Sequence, residues 1–486
     1  VSMEKIELKP ASVFHYFEEI CKVPRPSKKE EKIIAYLMKF AEEQGLEAKK
    51  DEAGNILIKK AATPGKENLK TVILQSHIDM VCEKNSDSNH DFLNDPIETY
   101  IDGEWLKAKG TTLGADNGIG MATQLAVLAA NDIEHGPLEC LFTVDEETGL
   151  TGAFALKEGF MDGDILINLD SEDEGELFIG CAGGANTTAE FAYEEIDAPQ
   201  DYFFFNVAIK GLTGGHSGDD ISKNRANANK LLNRFLSQLA AKYDFYLCEI
   251  DGGNLHNAIP REARALCAVP MKHKEDVRID MNIYTAEIEN EFSVTEPNLR
   301  TELGSESACA KAIDRDTVAR LLKSVYAVHH GVFAWSQDMP GLVETSSNLA
   351  SIKMVDGKIK IVTSQRSSIL SSRKDMSEMV RSAFQLGGAE VKTSDGYPGW
   401  KPNPSSPILK VAMESYKKLF GIEPKVKAIH AGLECGLFLE KYPHLDMFST
   451  GPTLRGVHSP DERMHIPAVD KFWKHLLDVL VNVPQK

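Results

Sequence analysis

Short apolar runs alternate with helical stretches in the first part of the chain, and this alternation restricts the fold more than any other feature. The runs cover residues 55–59, 71–74, 138–144 and 165–169, and a stretch of helical character, 118–130, lies among them. Continuous apolar strands are typical of a parallel sheet that is buried on both faces. The pattern therefore predicts an α/β fold with a largely parallel sheet sandwiched by helices.

The organisation changes after the glycine-rich passage 180–184. From residue 202 to residue 391 the pattern is α+β, and the proline-rich passage 396–407 has the character of a linker that leads back to the first fold. We therefore predict a discontinuous first domain, residues 1–185 and 397–486, with an α+β domain of residues 186–396 inserted into it.

One helix start carries a sequence signature. Ser27 and Glu30 have the spacing of a capping box, and apolar residues then recur on one helical face. We expect a helix over 27–44 that begins with this box.

The charge and the composition limit the partners and the location. The formal net charge is −19, so phosphate backbones and anionic lipids are repelled, and we expect no nucleic acid and no membrane as partners. The first ten residues include Glu4 and Glu7 and lack an apolar core of signal-peptide length, and no later stretch reaches the ~20 apolar residues of a membrane span. A cytoplasmic location is the expectation.

Histidine and acidic residues follow three of the apolar runs. His77 and Asp79 follow the second run, Glu146 and Glu147 the third, and Asp170 the fourth. Because the carboxyl ends of parallel strands meet at one edge of a sheet, these side chains are expected at a common site. A strand-end histidine beside a solvated aspartate, or a solvated acidic loop, would explain the same residues without chemistry.

Two further candidates lie in turn-forming passages. Asp116 stands in the glycine-rich passage 114–120, which opens a helix but lacks the lysine of a P-loop, and His458 stands in 456–460. A carboxylate directed at a cation suits the first passage, although a helix-capping aspartate would fit it too. Asp116 and His458 make a donor set for two metal ions together with His77, Glu147 and Asp170.

The chemistry of these donors indicates the metal. Imidazoles and carboxylates fit two Zn²⁺ ions per subunit, with Co²⁺ or Mn²⁺ as substitutes. The eight cysteines are scattered without a C-x-x-C pair, so neither a thiolate zinc site nor a disulfide framework is expected.

Five passages together resemble the co-catalytic zinc metallopeptidases, the family that includes carboxypeptidase G, peptidase T and carnosinase. The passages are 76–79, 114–118, 143–149, 168–170 and 458–462, and the resemblance covers the whole chain. It implies a discontinuous catalytic domain with an inserted lid and dimerisation domain. Aspartate at position 170 matches the aminopeptidase and dipeptidase members, which implies hydrolysis of unblocked dipeptides, Xaa-His and β-Ala-His included.

The resemblance also implies a role for each candidate. His77 and Asp170 would hold one zinc ion, Glu147 and His458 the other, and Asp116 would bridge both. Asp79 would orient His77, and Glu146 would be the general base that acts with a zinc-bridging hydroxide. The bond between Asp116 and Asn117 would be cis.

Substrate contacts are implied mainly in the inserted segment. His216 would stabilise the oxyanion, and Arg366 would pair with the carboxylate of the dipeptide. The passage around His430 would set specificity, with Glu434 recognising a free α-amino group. Three further residues could meet the substrate: His256, Asn257 and Arg261.

Two other functions fit the same residues. One is an amidase or deacylase that acts on N-acyl amino acids with the same metals and base. The other is a non-catalytic, metal-dependent binding protein on the same fold. The expected partner is a small peptide, and the inserted domain allows either a homodimer or a monomer.

Overall fold

Eleven α-helices lie within residues 6–486, the part of the chain that this computed structural model describes. Residues 1–5, where the predicted first domain starts and where Glu4 stands, lie outside that part. None of the helices combines the length and the apolar character needed to cross a membrane within these residues. The helices are α1 (Ala11–Cys21), α2 (Glu31–Glu43), α3 (Ala115–Ala129), α4 (Thr151–Ala155), α5 (Ala228–Lys242), α6 (Lys274–Glu291), α7 (Arg315–Ala327), α8 (Leu370–Leu386), α9 (Pro407–Phe420), α10 (Glu434–Lys441) and α11 (Ile466–Val481).

The strands are numbered in chain order. The first eight are β1 (Glu47–Lys50), β2 (Ile56–Lys60), β3 (Val72–His77), β4 (Thr99–Asp102), β5 (Trp105–Ala108), β6 (Leu138–Thr143), β7 (Ile165–Asn168) and β8 (Glu176–Cys181). The next thirteen are β9 (Gly183–Ala192), β10 (Glu195–Asp197), β11 (Tyr202–Lys210), β12 (Gly215–His216), β13 (Tyr246–Gly252), β14 (Ala258–Ile259), β15 (Ala263–Pro270), β16 (Arg300–Ser305), β17 (Lys311–Ile313), β18 (Gly331–Trp335), β19 (Val343–Val355), β20 (Lys358–Ser367) and β21 (Glu390–Thr393). The last four are β22 (Lys425–Ile429), β23 (Asp446–Ser449), β24 (Leu454–Arg455) and β25 (Arg463–His465).

The chain divides into two compact units, and the first of them is discontinuous. Unit 1 runs to Gly180 and resumes over Pro402–Ala428 and Leu433–Lys486. Unit 2 comprises Cys181–Lys401 and the short segment Ile429–Gly432. The functional domain boundaries drawn at 185/186 and 396/397 stay a prediction.

Unit 1 is built on an eight-stranded sheet in the order β1-β2-β6-β3-β7-β23-β8-β22. The neighbours β6, β3, β7 and β23 pair in parallel, whereas β1, β2 and β6 pair antiparallel, as do β23 and β8. Every residue of β3, β6 and β7 is buried, as expected for strands covered on both faces. The predicted α/β fold is confirmed, and its parallel part is the centre of the sheet.

The predicted start of α2 is wrong. The helix begins at Glu31, and no side chain caps it. The Ser27 hydroxyl instead donates to Asp79 Oδ2 at 2.6 Å, and Glu30 Oε1 accepts the backbone N–H of Asp145 at 2.9 Å. Partners that are distant in sequence therefore replace the local capping box.

Unit 2 contains a nine-stranded sheet and the helices α5 to α8. Eight strands follow the order β16-β11-β15-β13-β19-β20-β9-β21, and β18 pairs with β19. Strand β11 shows how its two faces are used: Phe203 and Phe205 enter the main core, while Phe204 joins a small apolar cluster. Side chains alternate along a strand, so one apolar run serves both faces.

Candidate metal centre

The carboxyl ends of three neighbouring strands of unit 1 carry the candidate residues. His77 is the last residue of β3, while Glu146 and Glu147 follow β6 and Asp170 follows β7. Since β6, β3 and β7 are parallel neighbours, their ends meet at one edge of the sheet.

Asp116 reaches this edge from the first turn of α3. The bond between Asp116 and Asn117 is cis, as the resemblance implied. The Asn117 side chain accepts the backbone N–H of His77 at 3.2 Å and donates to the Leu169 carbonyl at 2.7 Å. The start of α3 is thereby tied to the ends of β3 and β7.

The two oxygens of Asp116 contact two different imidazoles. Oδ1 lies 3.0 Å from His77 Nε2, and Oδ2 lies 3.0 Å from His458 Nε2. The carboxylate of Glu147 is also 3.1 Å from His458 Nε2, and Asp170 Oδ1 is 3.5 Å from His77 Nε2. Asp116 therefore stands between two groups of donors.

The donor atoms are close enough to share cations. Those of His77, Asp116 and Glu147 lie within 4.8 Å of one another, as do those of His77, Glu146 and Asp170. The set contains imidazoles and carboxylates without a thiolate, which suits a divalent ion such as Zn²⁺, Co²⁺ or Mn²⁺. The residues present thus fit the metal ions that the sequence predicts, and their individual roles stay predictions.

Asp79 is fully buried and joins three parts of the site. Its Oδ1 lies 3.2 Å from His77 Nδ1, and its carboxylate accepts the backbone N–H groups of Glu146 and Glu147 at 3.0 and 3.2 Å. Burial would raise the pKa of Asp79, but the hydrogen bonds from His77 and Ser27 hold it well below its usual value. The carboxylate is therefore ionised and orients the imidazole.

The pKa values of Glu146 and His458 are both raised, but for different reasons. Burial raises the pKa of Glu146 well above its usual value, and the charges of Asp170 and Glu147 raise it further. Hydrogen bonds to Asp116 and Glu147 raise the pKa of His458 to about 11. Both shifts favour the protonated forms, and bound cations would take the place of these protons.

Unit 2 holds a second polar cluster around Arg366. This side chain is buried, its guanidinium contacts the hydroxyls of Tyr397 at 3.1 Å and Ser217 at 3.4 Å, and its Nε has no hydrogen-bond partner. No carboxylate pairs with Arg366 within residues 6–486. A buried cation without a counter-charge is costly, so the cluster is suited to an anionic group.

Two histidines lie near Arg366 in the same unit. Burial, together with the charges of Arg366 and His216, lowers the pKa of His430 to about 3. Burial and Arg366 likewise lower the pKa of His216. His430 Nε2 lies 2.7 Å from the Ser346 hydroxyl, and His216 Nδ1 accepts the N–H of Gly218 at 3.0 Å. Both imidazoles are therefore neutral near neutral pH.

The other predicted substrate residues differ from one another in their exposure to solvent. His256 and Asn257 are exposed, and His256 lines a cavity with Arg366. Arg261 is exposed and donates to the Leu212 carbonyl at 3.2 Å. Glu434 belongs to unit 1, where it is buried and accepts from Gln75 at 2.9 Å.

Sequence reasoning missed several residues that support the site. Ser27 and Asn117 contact Asp79 and His77, while Arg25 and Glu462 contact the turn before Asp116. Two of them stood in passages that carry the family resemblance, Asn117 in 114–118 and Glu462 in 458–462, and those positions were the available signal.

Comparison with known proteins identifies the class. Residues 73–482 match the sequence profile of peptidase family M20/M25/M40. The chain belongs to this family of peptidases, and the co-catalytic metallopeptidase resemblance is confirmed.

Individual members of the family are similar to this chain over nearly its whole length. The chain is 45% identical over 486 residues to the cytosol non-specific dipeptidase of Escherichia coli, covering 99% of this chain and 100% of the relative. It superposes on the crystal structure of aminoacylhistidine dipeptidase from Vibrio alginolyticus with a TM-score of 0.94 and 45% identity, covering 99% of this chain and 98% of that one. Aminopeptidase PepT from Bacillus cereus, with a TM-score of 0.56 and 16% identity over 97% of each chain, shares the fold.

Proposed function

We propose that this chain is a metal-dependent dipeptidase that hydrolyses unblocked dipeptides, Xaa-His and β-Ala-His included. The observation that carries the proposal is the position of Asp116, whose two oxygens lie 3.0 Å from His77 and 3.0 Å from His458. The full-length similarity to two proteins named as dipeptidases supports the substrate class.

The proposed metal ligands are divided between two ions. His77 and Asp170 would hold one ion, Glu147 and His458 would hold the other, and Asp116 would contribute to both. Bound divalent ions would polarise the peptide carbonyl and make a water molecule acidic enough to react near neutral pH.

Two side chains of the protein transfer the proton and orient the metal ligand His77. Glu146 takes the proton of the attacking water and returns it to the amine that leaves. Asp79 accepts the Nδ1 hydrogen of His77, so that Nε2 stays free to bind a metal ion.

The cluster around Arg366 is proposed to bind the carboxylate of the dipeptide. The buried guanidinium lacks a counter-charge, and a substrate carboxylate would supply it. His216 would donate to the oxyanion. Four further residues would contact the substrate or set specificity: His430, His256, Asn257 and Arg261. Glu434 would receive the α-amino group in unit 1. The predicted inserted domain, residues 186–396, would act as a lid.

The proposal also includes the location of the protein in the cell and its oligomeric state. Because the Escherichia coli relative is named a cytosol enzyme, we propose the cytoplasm for this chain. The homodimer through the inserted domain stays a prediction. Sedimentation tests it, since a monomer has a mass of 53.6 kDa and a dimer twice that.

The decisive experiment compares four compounds with zinc-loaded and chelator-treated protein. β-Ala-His, Ala-His and Ala-Ala should be cleaved only by the loaded protein, and N-acetyl-His should remain intact. Cleavage of N-acetyl-His alone would make the chain a deacylase. Zinc binding without any hydrolysis would favour the binding protein instead.

A further inference from the structure

Glu462 is a buried carboxylate that accepts three backbone N–H groups of one turn. Its Oε1 accepts the backbone N–H of Leu113 and that of Gly114, each at 2.9 Å, and its Oε2 accepts the N–H of Asp116 at 3.1 Å. Glu462 is only 2% exposed, so water does not compete for these hydrogen bonds. The turn that leads to Asp116 is therefore held by one side chain.

Arg25 holds the same turn through one carbonyl group, that of Gly114. Its Nη2 donates to the Gly114 carbonyl at 2.5 Å, and its Nη1 donates to the carbonyls of Ile78 and Asp79, each at 3.1 Å. Arg25 is 2% exposed. The guanidinium thus connects the segment after His77 with the turn before Asp116.

Two glycines allow this close approach. A Cβ atom added to Gly114 or to Gly118 would lie 2.7 Å from Nη2 of Arg25, which is too close for a non-bonded contact. Gly114 also has φ +73°, a backbone conformation that glycine adopts without strain. The glycines of the motif around Asp116 therefore make room for Arg25.

The two charged side chains bring three parts of unit 1 together. Arg25 precedes α2, the turn precedes α3, and Glu462 lies four residues beyond His458. Glu462 can support Asp116 only when its segment is docked, and the same docking brings His458 to within 3.0 Å of Asp116 Oδ2.

We propose that Arg25 and Glu462 are positioning residues that hold the Asp116 carboxylate between His77 and His458, so that metal affinity depends on this pair. The inference rests on the proposed metal-dependent function. It assigns neither residue a contact with the metal or the substrate. Groups that orient metal ligands typically change metal affinity 10–100-fold when they are removed.

The test is the zinc affinity of Glu462→Gln, measured on metal-free protein in competition with a chromophoric chelator. Glutamine keeps the size of the side chain but replaces one acceptor oxygen with an NH₂ group, which faces a backbone N–H. We expect the dissociation constant for Zn²⁺ to rise about 10–100-fold. The absorption spectrum of the Co²⁺-loaded variant should also change, because it reports ligand geometry.

The matched control is Glu139→Gln in β6. Glu139 is equally buried, 2% exposed, and accepts the backbone N–H of Asp162 at 2.8 Å, but it contacts none of the proposed ligands. Its zinc affinity and Co²⁺ spectrum should match those of the unaltered protein. Thermal unfolding of both metal-free variants separates loss of the fold from loss of positioning.

Arg25→Lys keeps the inference testable if Glu462→Gln does not fold. A lysine ammonium cannot reach the three carbonyls in the geometry of the guanidinium, so the same weakening of zinc binding is expected. Unchanged zinc affinity in a folded variant of either residue would overturn the inference. If the unaltered protein itself binds no divalent ion, the proposed function fails first, and that result is recognised before any variant is compared.

Discussion

Glu146 and Glu147 are neighbours in the sequence but have different surroundings. Both carboxylates lie 3.8 Å from His77 Nε2, and Glu147 also lies 3.1 Å from His458 Nε2. Their backbone N–H groups both donate to Asp79, which holds the backbone of both residues beside His77. The contact with His458 suits Glu147 to serve as a metal ligand, while Glu146 remains placed to serve as the base.

The role of Glu146 leads to a first prediction. Glu146→Gln should keep its metal ions and lose about 10²–10⁴-fold in kcat, since an amide cannot take the proton of water. Metal content and Ala-His hydrolysis are measured on the same sample. Glu158→Gln, at an exposed position, should hydrolyse normally. Full activity in the Glu146 variant would remove this residue from the mechanism.

Arg366 gives a second prediction at the same scale. Arg366→Lys should raise KM for dipeptides about 10–100-fold, because a lysine cannot pair with a carboxylate through two N–H groups. The control is Arg264→Lys, an exposed position of unit 2 whose partner is Glu249. An unchanged KM would mean that the substrate carboxylate binds elsewhere.

Among the elements, the start of α5 depends on a neutral histidine. Asn227 Oδ1 accepts the N–H groups of Asn229 and Lys230 at 2.9 and 3.2 Å, which caps the helix. Its Nδ2 approaches His330 Nδ1 at 3.2 Å, and the same nitrogen accepts the N–H of Leu349 at 3.1 Å. Protonation of this nitrogen would remove the acceptor for both groups, and the direct hydrogen bond from Asn227 Nδ2 to the Leu349 carbonyl, at 2.9 Å, would then connect α5 and β19 alone.

This link leads to a prediction about pH. Burial, with the charges of Lys230 and His329, lowers the pKa of His330 to about 3. Between pH 6.5 and 3 the unfolded chain therefore binds more protons at this residue than the folded chain, so stability falls as the pH falls. His330 should account for about 1–2 kcal/mol of that loss.

The measurement is urea unfolding of metal-free protein between pH 7 and pH 4. His330→Gln should show a smaller loss of unfolding free energy over this range than the unaltered protein. His15→Gln, at an exposed position of α1, serves as the control and should keep the full loss. Equal losses in all three proteins would contradict the prediction.

For the whole molecule, metal binding connects residues that are far apart in the chain. The proposed donors run from His77 to His458, on both sides of unit 2 in the sequence. Metal that binds only the folded state stabilises it by about 2.7 kcal/mol at a concentration of 100 times Kd.

Removal of the metal is therefore predicted to lower the Tm by several degrees. Thermal unfolding is followed with and without a chelator, and the shift should grow with the concentration of added Zn²⁺. Asp116→Asn should show a much smaller shift, because it weakens both proposed sites. A Tm independent of Zn²⁺ would argue against a metal centre in the folded protein.

The proximity of the donors could be predicted because it follows from local pattern and one general rule. Apolar runs identify buried strands, and the carboxyl ends of parallel neighbours meet whatever their order in the sheet. His77, Glu147 and Asp170 each follow such a run, so their shared location needed no further information.

Contacts between distant segments could not be predicted in this way. The capping box failed because Ser27 and Glu30 found partners in Asp79 and Asp145, at separations of 52 and 115 residues. Glu462 acts on Leu113 at a separation of 349 residues. Periodicity and capping rules describe only neighbours along the chain, whereas a buried polar side chain bonds to whichever group the folded chain brings within reach. Strand ends were therefore predictable from the sequence, but the side chains that hold the site together were decided by tertiary packing.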